Sequence, residues 1–212
     1  MMPLAEFPQD YFRRQDESDD SLFYSFPRLV VHIDQQAINA LQDLFRKVLP
    51  PGGVYLDLMS SWRSHIPPEL KPAGVVGLGM NAAEMADNPQ LDDYIVHNLN
   101  TLPRLPYDDQ TFDAVMCTVS VQYLVRPVAI FAEVYRVLKP GGSFVVSFSN
   151  RCFPNKAVRA WLSMTDRQHI SLVERYFELS AEWTNLKTFS KKPIIPMQHD
   201  PLYAVWASKP SA

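Results

Sequence analysis

The chemistry-bearing residues of this chain begin at "VYLDLMSSWRSH", residues 54–65. Val54-Tyr55-Leu56-Asp57 reads as a buried strand that ends in a carboxylate. A carboxylate at the end of a parallel strand, followed by a glycine turn, is how many α/β folds hold a nucleotide-bearing ligand. Here the turn holds Met59, Ser60, Ser61, Trp62 and Arg63 in place of glycines. The five histidines show no ligand spacing with Cys, Asp or Glu, so no metal site is expected. Glycine is scarce, 7 residues against 18 prolines, and four of the seven sit in "PPGG" and "KPGG".

The elements that must position these groups follow from periodicity. From Val30, apolar residues recur at helical spacing through Ile33, Ala37, Leu41, Leu44 and Val48, and the helix stops at Pro50. A similar unit recurs later: Pro127 opens a helix whose apolar face is Val128, Phe131, Tyr135 and Leu138, "LKPGG" ends it, and "SFVVSFS" (143–149) is a strand. Between them lie strand candidates "GVVGLG" (74–79), "DYIVHN" (93–98) and "FDAVMCTVSV" (112–121). Apolar strands alternating with helices imply a parallel sheet covered on both faces and doubly wound. The last third reads as the helix "SLVERYFELSAEW", then the strands "LKTFS" and "DPLYAVWAS" joined by a Pro-rich link, a hairpin at one sheet edge. Residues 1–28, with the acidic run Asp16–Asp20, read as a solvated N-terminal arm, and residues 29–212 as one domain.

Net charge is −3 and no Lys/Arg cluster exists, which argues against a nucleic-acid partner. No run approaches the ~18 apolar residues of a membrane span. The N-terminus has no apolar stretch of signal-peptide length, and Cys117 and Cys152 are too few for a disulfide framework, so reduced thiols in a cytoplasmic or organelle-stroma compartment are expected.

"YLDL", "VVGLGMNAAEM", "LNTLPRLPYDDQTFDAVMCTVSVQYL" and "FAEVYRVLKPGGSFVVSFSN" together resemble class I S-adenosylmethionine-dependent methyltransferases of the type-11-like group, over roughly residues 29–207. The resemblance implies a Rossmann-like, doubly wound, seven-stranded α/β sheet, mostly parallel with an antiparallel C-terminal hairpin. It implies S-adenosylmethionine as cofactor and methyl transfer to a small-molecule acceptor; a catalytically silent binding or scaffold protein is the alternative. A dehydrogenase reading fails, because "GLGMN" holds two glycines and follows the second strand rather than the first.

On the cofactor side, the resemblance puts Asp57 in the acidic position and Met59, Ser60 and Ser61 where glycines normally stand. The serines offer hydroxyls and N–H groups to a carboxylate, or simply cap a turn. Gly79 stands 22 positions after Asp57, where the family carries the acid that grips the ribose hydroxyls, and it has no side chain to do so. Met80 takes the position against the adenine face. Asn81 either replaces the missing acid or caps a helix with Glu84. Asn98 and the Leu99 N–H stand where the adenine amino group is read, with a turn as the other role for Asn98.

Toward the acceptor, the resemblance puts Val119, Ser120, Gln122 and Tyr123 in the stretch that faces the transferred methyl group, with a helix start as the other role for Gln122 and Tyr123; a methyl transfer of this kind requires alignment more than a strict base, and no catalytic residue is assigned. Tyr24, Arg28 and His32 correspond to the segment that covers the cofactor, with a surface ion pair as the other role for Arg28. Trp62 and His65 are candidates for the pocket mouth, with core as the other role for Trp62 and an exposed loop as the other role for His65. Arg151, Asn155, Lys156 and Arg159 make a locally basic stretch suited to an anionic acceptor.

Overall fold

The computed structural model describes residues 7, 8, 10–193 and 198–211. Seven strands form one sheet in the order β3-β2-β1-β4-β5-β7-β6. They are β1 (Val54–Leu58), β2 (Gly74–Gly79), β3 (Asp93–Val96), β4 (Phe112–Thr118), β5 (Leu138–Phe148), β6 (Thr184–Lys191) and β7 (Leu202–Ser208). The pairs β1/β2, β2/β3, β1/β4 and β4/β5 are parallel, while β7 runs antiparallel to both β5 and β6. The expected mostly parallel sheet with a C-terminal hairpin is what forms; β7 inserts between β5 and β6 rather than extending the edge. Residues 194–197 of the expected Pro-rich link lie outside the described residues.

The chain winds outward from β1 to β3 and then returns to the other side of β1 at β4. This reversal leaves a crevice at the carboxyl ends of β1 and β4, the place where ligands enter open α/β sheets.

Alternation along each strand divides the core in two. Leu56, Leu58, Val115, Cys117, Phe144 and Val146 point to one face, under Phe131 of α4 (Pro127–Val137) and Phe177 of α6 (Asp166–Ser180). Tyr55, Met116 and Val145 point to the other, under Leu41, Leu44 and Phe45 of α2 (Gln35–Val48). Every strand that borders the site is therefore held on both sides.

Helix α2 starts later than periodicity predicts. The Asp34 side chain accepts from the Ala37 N–H and caps it, leaving Val30 in the bent, irregular segment before it. In the opposite direction, α6 begins at Asp166, earlier than its apolar pattern, because Thr165 and Gln168 make a reciprocal cap.

The acidic run is solvated only in part: Glu17, Ser18 and Asp19 are exposed, while its two ends turn inward. Asp20, in the short helix α1 (Asp20–Phe23), is 3% exposed and accepts two bonds from Arg14, at 2.7 and 2.9 Å. Lys156 is fully buried, with its ammonium 3.3 Å from Asp20 and 3.0 Å from Asp16. A buried ammonium must be neutralised, and the acids of the arm do this. An antiparallel bridge between Arg14 and Val158 adds a backbone tie. No helix among the described residues is long and apolar enough to cross a membrane.

Candidate active site

At the carboxyl edge of β1, β2 and β4 lies a cavity of about 620 Å³. Its floor begins with the loop after β1. Met59 takes a left-handed backbone, φ 60°, the strained path that a bulky residue adopts only when its surroundings force it. The Ser60 N–H then donates to the Leu78 carbonyl at 2.8 Å, which lays the loop across the end of β2. A Cβ at Gly79 would stand 2.1 Å from the Ser60 carbonyl oxygen and 3.0 Å from the Met85 sulfur. The loop after β1 therefore excludes any side chain at position 79, because the Ser60 carbonyl stands where that side chain would begin. Met59, Ser60, Ser61, Gly79 and Met80 all border the cavity.

Asp57 does not. It is 4% exposed, and one of its carboxylate oxygens accepts both Ser60 Oγ at 2.7 Å and Ser64 Oγ at 2.6 Å. Burial pushes its carboxyl up to about 6, against the opposing pull of the Ser64 and Ser60 hydroxyls. Asn88 completes the brace, donating to Ser61 O and Ser64 Oγ. Asp57 holds the floor in shape from beneath.

Helix α3 (Ala82–Ala86) forms one wall. Asn81 caps it, accepting from the Glu84 N–H at 3.0 Å, while its Nδ2 donates to the Tyr24 carbonyl at 2.8 Å. Asn81 therefore joins wall to roof. Glu84, 6% exposed and bordering the cavity, accepts from Ser61 Oγ at 2.5 Å and from the Arg28 N–H at 2.6 Å.

Opposite stand Asn98, Leu99 and Ser120, all bordering the cavity. Asn98 forms the expected turn, its Oδ1 accepting from Asn100 N at 3.0 Å. The Leu99 N–H has no partner among the described residues. Val119 has φ 52°, an outlier for a β-branched residue, and its N–H is held by the Ser147 carbonyl at 2.8 Å. Ser120 Oγ donates to Thr118 O at 3.1 Å.

The roof comes from the arm and from the segment after β5. The Arg28 guanidinium lies 4.4 Å from the centre of the Phe23 ring and 5.4 Å from that of Phe153, and it donates to Phe23 O at 2.9 Å. It makes no ion pair among the described residues, so neither a surface salt bridge nor an internal one consumes its charge. Tyr123 Oη accepts from the Phe153 N–H at 2.8 Å, and burial pushes its phenol up to about 12. Burial likewise raises Tyr24 and lowers His32, so both stay neutral near pH 7. Tyr24, Arg28, His32, Tyr123 and Arg151 border the cavity, Arg151 paired with Asp200 at 2.7 Å.

Three other expected contacts are not brought to the cavity. Trp62 turns outward, donates to the Asp87 carboxylate and lies under the Arg63 guanidinium at 3.8 Å. Gln122, 1% exposed, is spent inside, donating to the carbonyls of Val119 and Arg151. His65 also lies off the cavity, pushed down to about 4 by burial and by nearby Arg63 and His32. Lys156 serves the arm, and Arg159 pairs with Asp10 on the surface. Sequence reasoning gave Glu84 only a capping role and missed Phe153. The signal for Glu84 was available: it is the first acid after the vacant position 79. Among the described residues no group of three His, Cys, Asp or Glu is placed to hold a metal ion.

Sheet order and crevice define the class I S-adenosylmethionine-dependent methyltransferase fold, and residues 75–146 match the type 11 family described as a methyltransferase domain. Among individual proteins, the malonyl-(acyl-carrier protein) O-methyltransferase of Marinomonas sp. is 33% identical over 67 residues, which is 32% of this chain and 25% of that protein. The chain thus spans about a quarter of the length of that curated relative. Two solved structures share the fold. One is the S-adenosylmethionine dependent methyltransferase of Mesorhizobium loti, with TM-score 0.56, 17% identity, and coverage of 79% of this chain and 96% of that one. The other is phosphoethanolamine N-methyltransferase 2 of Haemonchus contortus, solved with S-adenosyl-L-methionine, with TM-score 0.60, 12% identity, and coverage of 90% and 57%.

Proposed function

We propose that the chain transfers a methyl group from S-adenosylmethionine to a small-molecule acceptor. The observation that carries this is the open cavity at the sheet's reversal point, whose size falls within the ~300–1,000 Å³ of cofactor-sized sites. The donor set fits the cofactor part by part. Met80 offers a soft surface for the adenine, and the Leu99 N–H and Asn98 side chain offer polar contacts to its edge. Arg28 offers an unspent cation for the amino-acid carboxylate.

The cofactor's sulfonium supplies an electrophilic methyl, so the chain has to align and dry the site rather than generate a strong base. The neutral phenols, the Phe153 ring and the roof keep water out. Tyr123, its Oη already accepting from Phe153, keeps its own proton to hold an acceptor. Free thiols at Cys117 and Cys152 suit a reducing compartment, cytoplasm or organelle stroma.

A silent binding or scaffold module is the second reading, favoured by the burial of Asp57 beneath the floor and the absence of an acid at position 79. Titration with S-adenosylmethionine and S-adenosylhomocysteine separates the two. At 100 times its dissociation constant, either ligand stabilises the fold by ~2.7 kcal/mol. No stabilisation at millimolar ligand overturns the transferase reading.

A further inference from the structure

We infer that Glu84 grips the ribose diol in place of the acid that position 79 cannot carry, an inference that rests on the proposed cofactor. Four carboxylates border the cavity: Asp20, Asp34, Glu84 and Asp200. Asp20 is paired with Arg14 and Lys156, Asp200 with Arg151, and Asp34 faces His199 and caps α2. Glu84 makes no ion pair among the described residues. Both its donors are neutral and each engages a different oxygen: Ser61 Oγ on Oε2 at 2.5 Å and the Arg28 N–H on Oε1 at 2.6 Å.

A carboxylate has about four acceptor sites. Two remain, one on each oxygen of a residue that borders the cavity and is 6% exposed. Two adjacent acceptors bearing one negative charge match two adjacent hydroxyls. The same loop that blocks position 79 also supplies Ser61, whose bond fixes the Glu84 carboxylate against the wall. The loop therefore excludes an acid at position 79 and orients another within the same cavity.

The competing role is that Glu84 only anchors the roof through Arg28. S-adenosylhomocysteine and its 2′,3′-dideoxy analogue, titrated by calorimetry into the wild type and Glu84→Gln, separate these roles. The amide keeps a carbonyl for the Arg28 N–H. Loss of charged hydrogen bonds to the diol is expected to weaken S-adenosylhomocysteine by ~10–100-fold in the variant. The dideoxy analogue, which has no diol to lose, is expected to weaken by less than about threefold. Equal weakening of both ligands, or of neither, overturns the proposal. If Glu84→Gln does not fold, Ser61→Ala decides: at least about a threefold loss selective for S-adenosylhomocysteine is expected, and its absence is equally decisive. A wild type that binds neither ligand refutes the cofactor reading itself, a result distinct from loss of selectivity.

Discussion

The Ser60 carbonyl and the α-carbon of Gly79 are in direct apposition, with no room between them for a methyl group: a Cβ would come within 2.1 Å of that oxygen. The obstacle is backbone, which cannot swing aside as a side-chain tip does. Gly79→Ala must break the Ser60 N–H bond to Leu78 or displace β2. A loss of about 2–3 kcal/mol in urea unfolding is expected. Gly79→Asp, although it restores the residue type of the family, is expected to be at least as damaging and to bring no gain in S-adenosylhomocysteine affinity. Wild-type stability in the alanine variant contradicts this packing.

The buried carboxyl of Asp57 sets a pH dependence of definite sign. Its folded value near 6 lies above the ordinary 3.8, so folding is penalised once the carboxyl ionises. Below about pH 4 the group costs nothing; between pH 4 and 6 the unfolded chain ionises first, and stability falls as pH rises. Against Asp57→Asn, which cannot ionise, the wild type should lose about 3 kcal/mol across that window. Denaturant titrations of both proteins at pH 4 and pH 7 measure it, and a constant difference between them would show that the carboxyl is not buried as described.

Asn81 performs two tasks through different atoms. Asn81→Ala removes both and is expected to cost about 1–2 kcal/mol. Asn81→Ser retains a capping oxygen and loses only the donor to Tyr24, so stability should fall by less than about 0.5 kcal/mol. Proteolytic cleavage within residues 24–33 should nevertheless accelerate severalfold in the serine variant. Unaltered cleavage would mean that the amide is not what holds the roof.

Val119 carries strain at the end of β4. Glycine there relieves the left-handed backbone, about 1–2 kcal/mol, while losing side-chain packing of similar size. Val119→Gly should therefore change unfolding free energy by less than about 1 kcal/mol. Val115→Ala, in the fully buried part of β4, should cost about 2–3 kcal/mol. Equal losses at the two positions would place Val119 in an ordinary backbone conformation.

Most of the sheet was legible because its strands advertise themselves locally: "GVVGLG" is β2 to the residue and Pro127 opens α4 as expected, whereas β5 starts at Leu138 and takes in the "LKPGG" that reads as a helix stop. The capping role of Asn81 followed from its spacing to Glu84. The path of the first loop was not legible. Composition shows that the glycines are gone, but the loop's direction depends on the Leu78 carbonyl and on the absence of a side chain at Gly79, both brought near by folding. The sides taken by Trp62 and Gln122 were open for a related reason: their neighbours in sequence do not say which way a loop or a short 3-10 turn faces. The arm was hidden because the partners of Asp20 include Lys156, well over a hundred positions away.

Lys156 gives that arm a thermodynamic standing its composition conceals. Its ammonium is met by Asp16, Ser18 and Asp20, all from the arm. Peeling the arm away breaks these ion pairs and hydrogen bonds together, so fraying here is opposed rather than free. Amide hydrogens of residues 14–24 should therefore be protected from exchange well beyond what an unanchored terminus shows, and Lys156→Met should remove that protection.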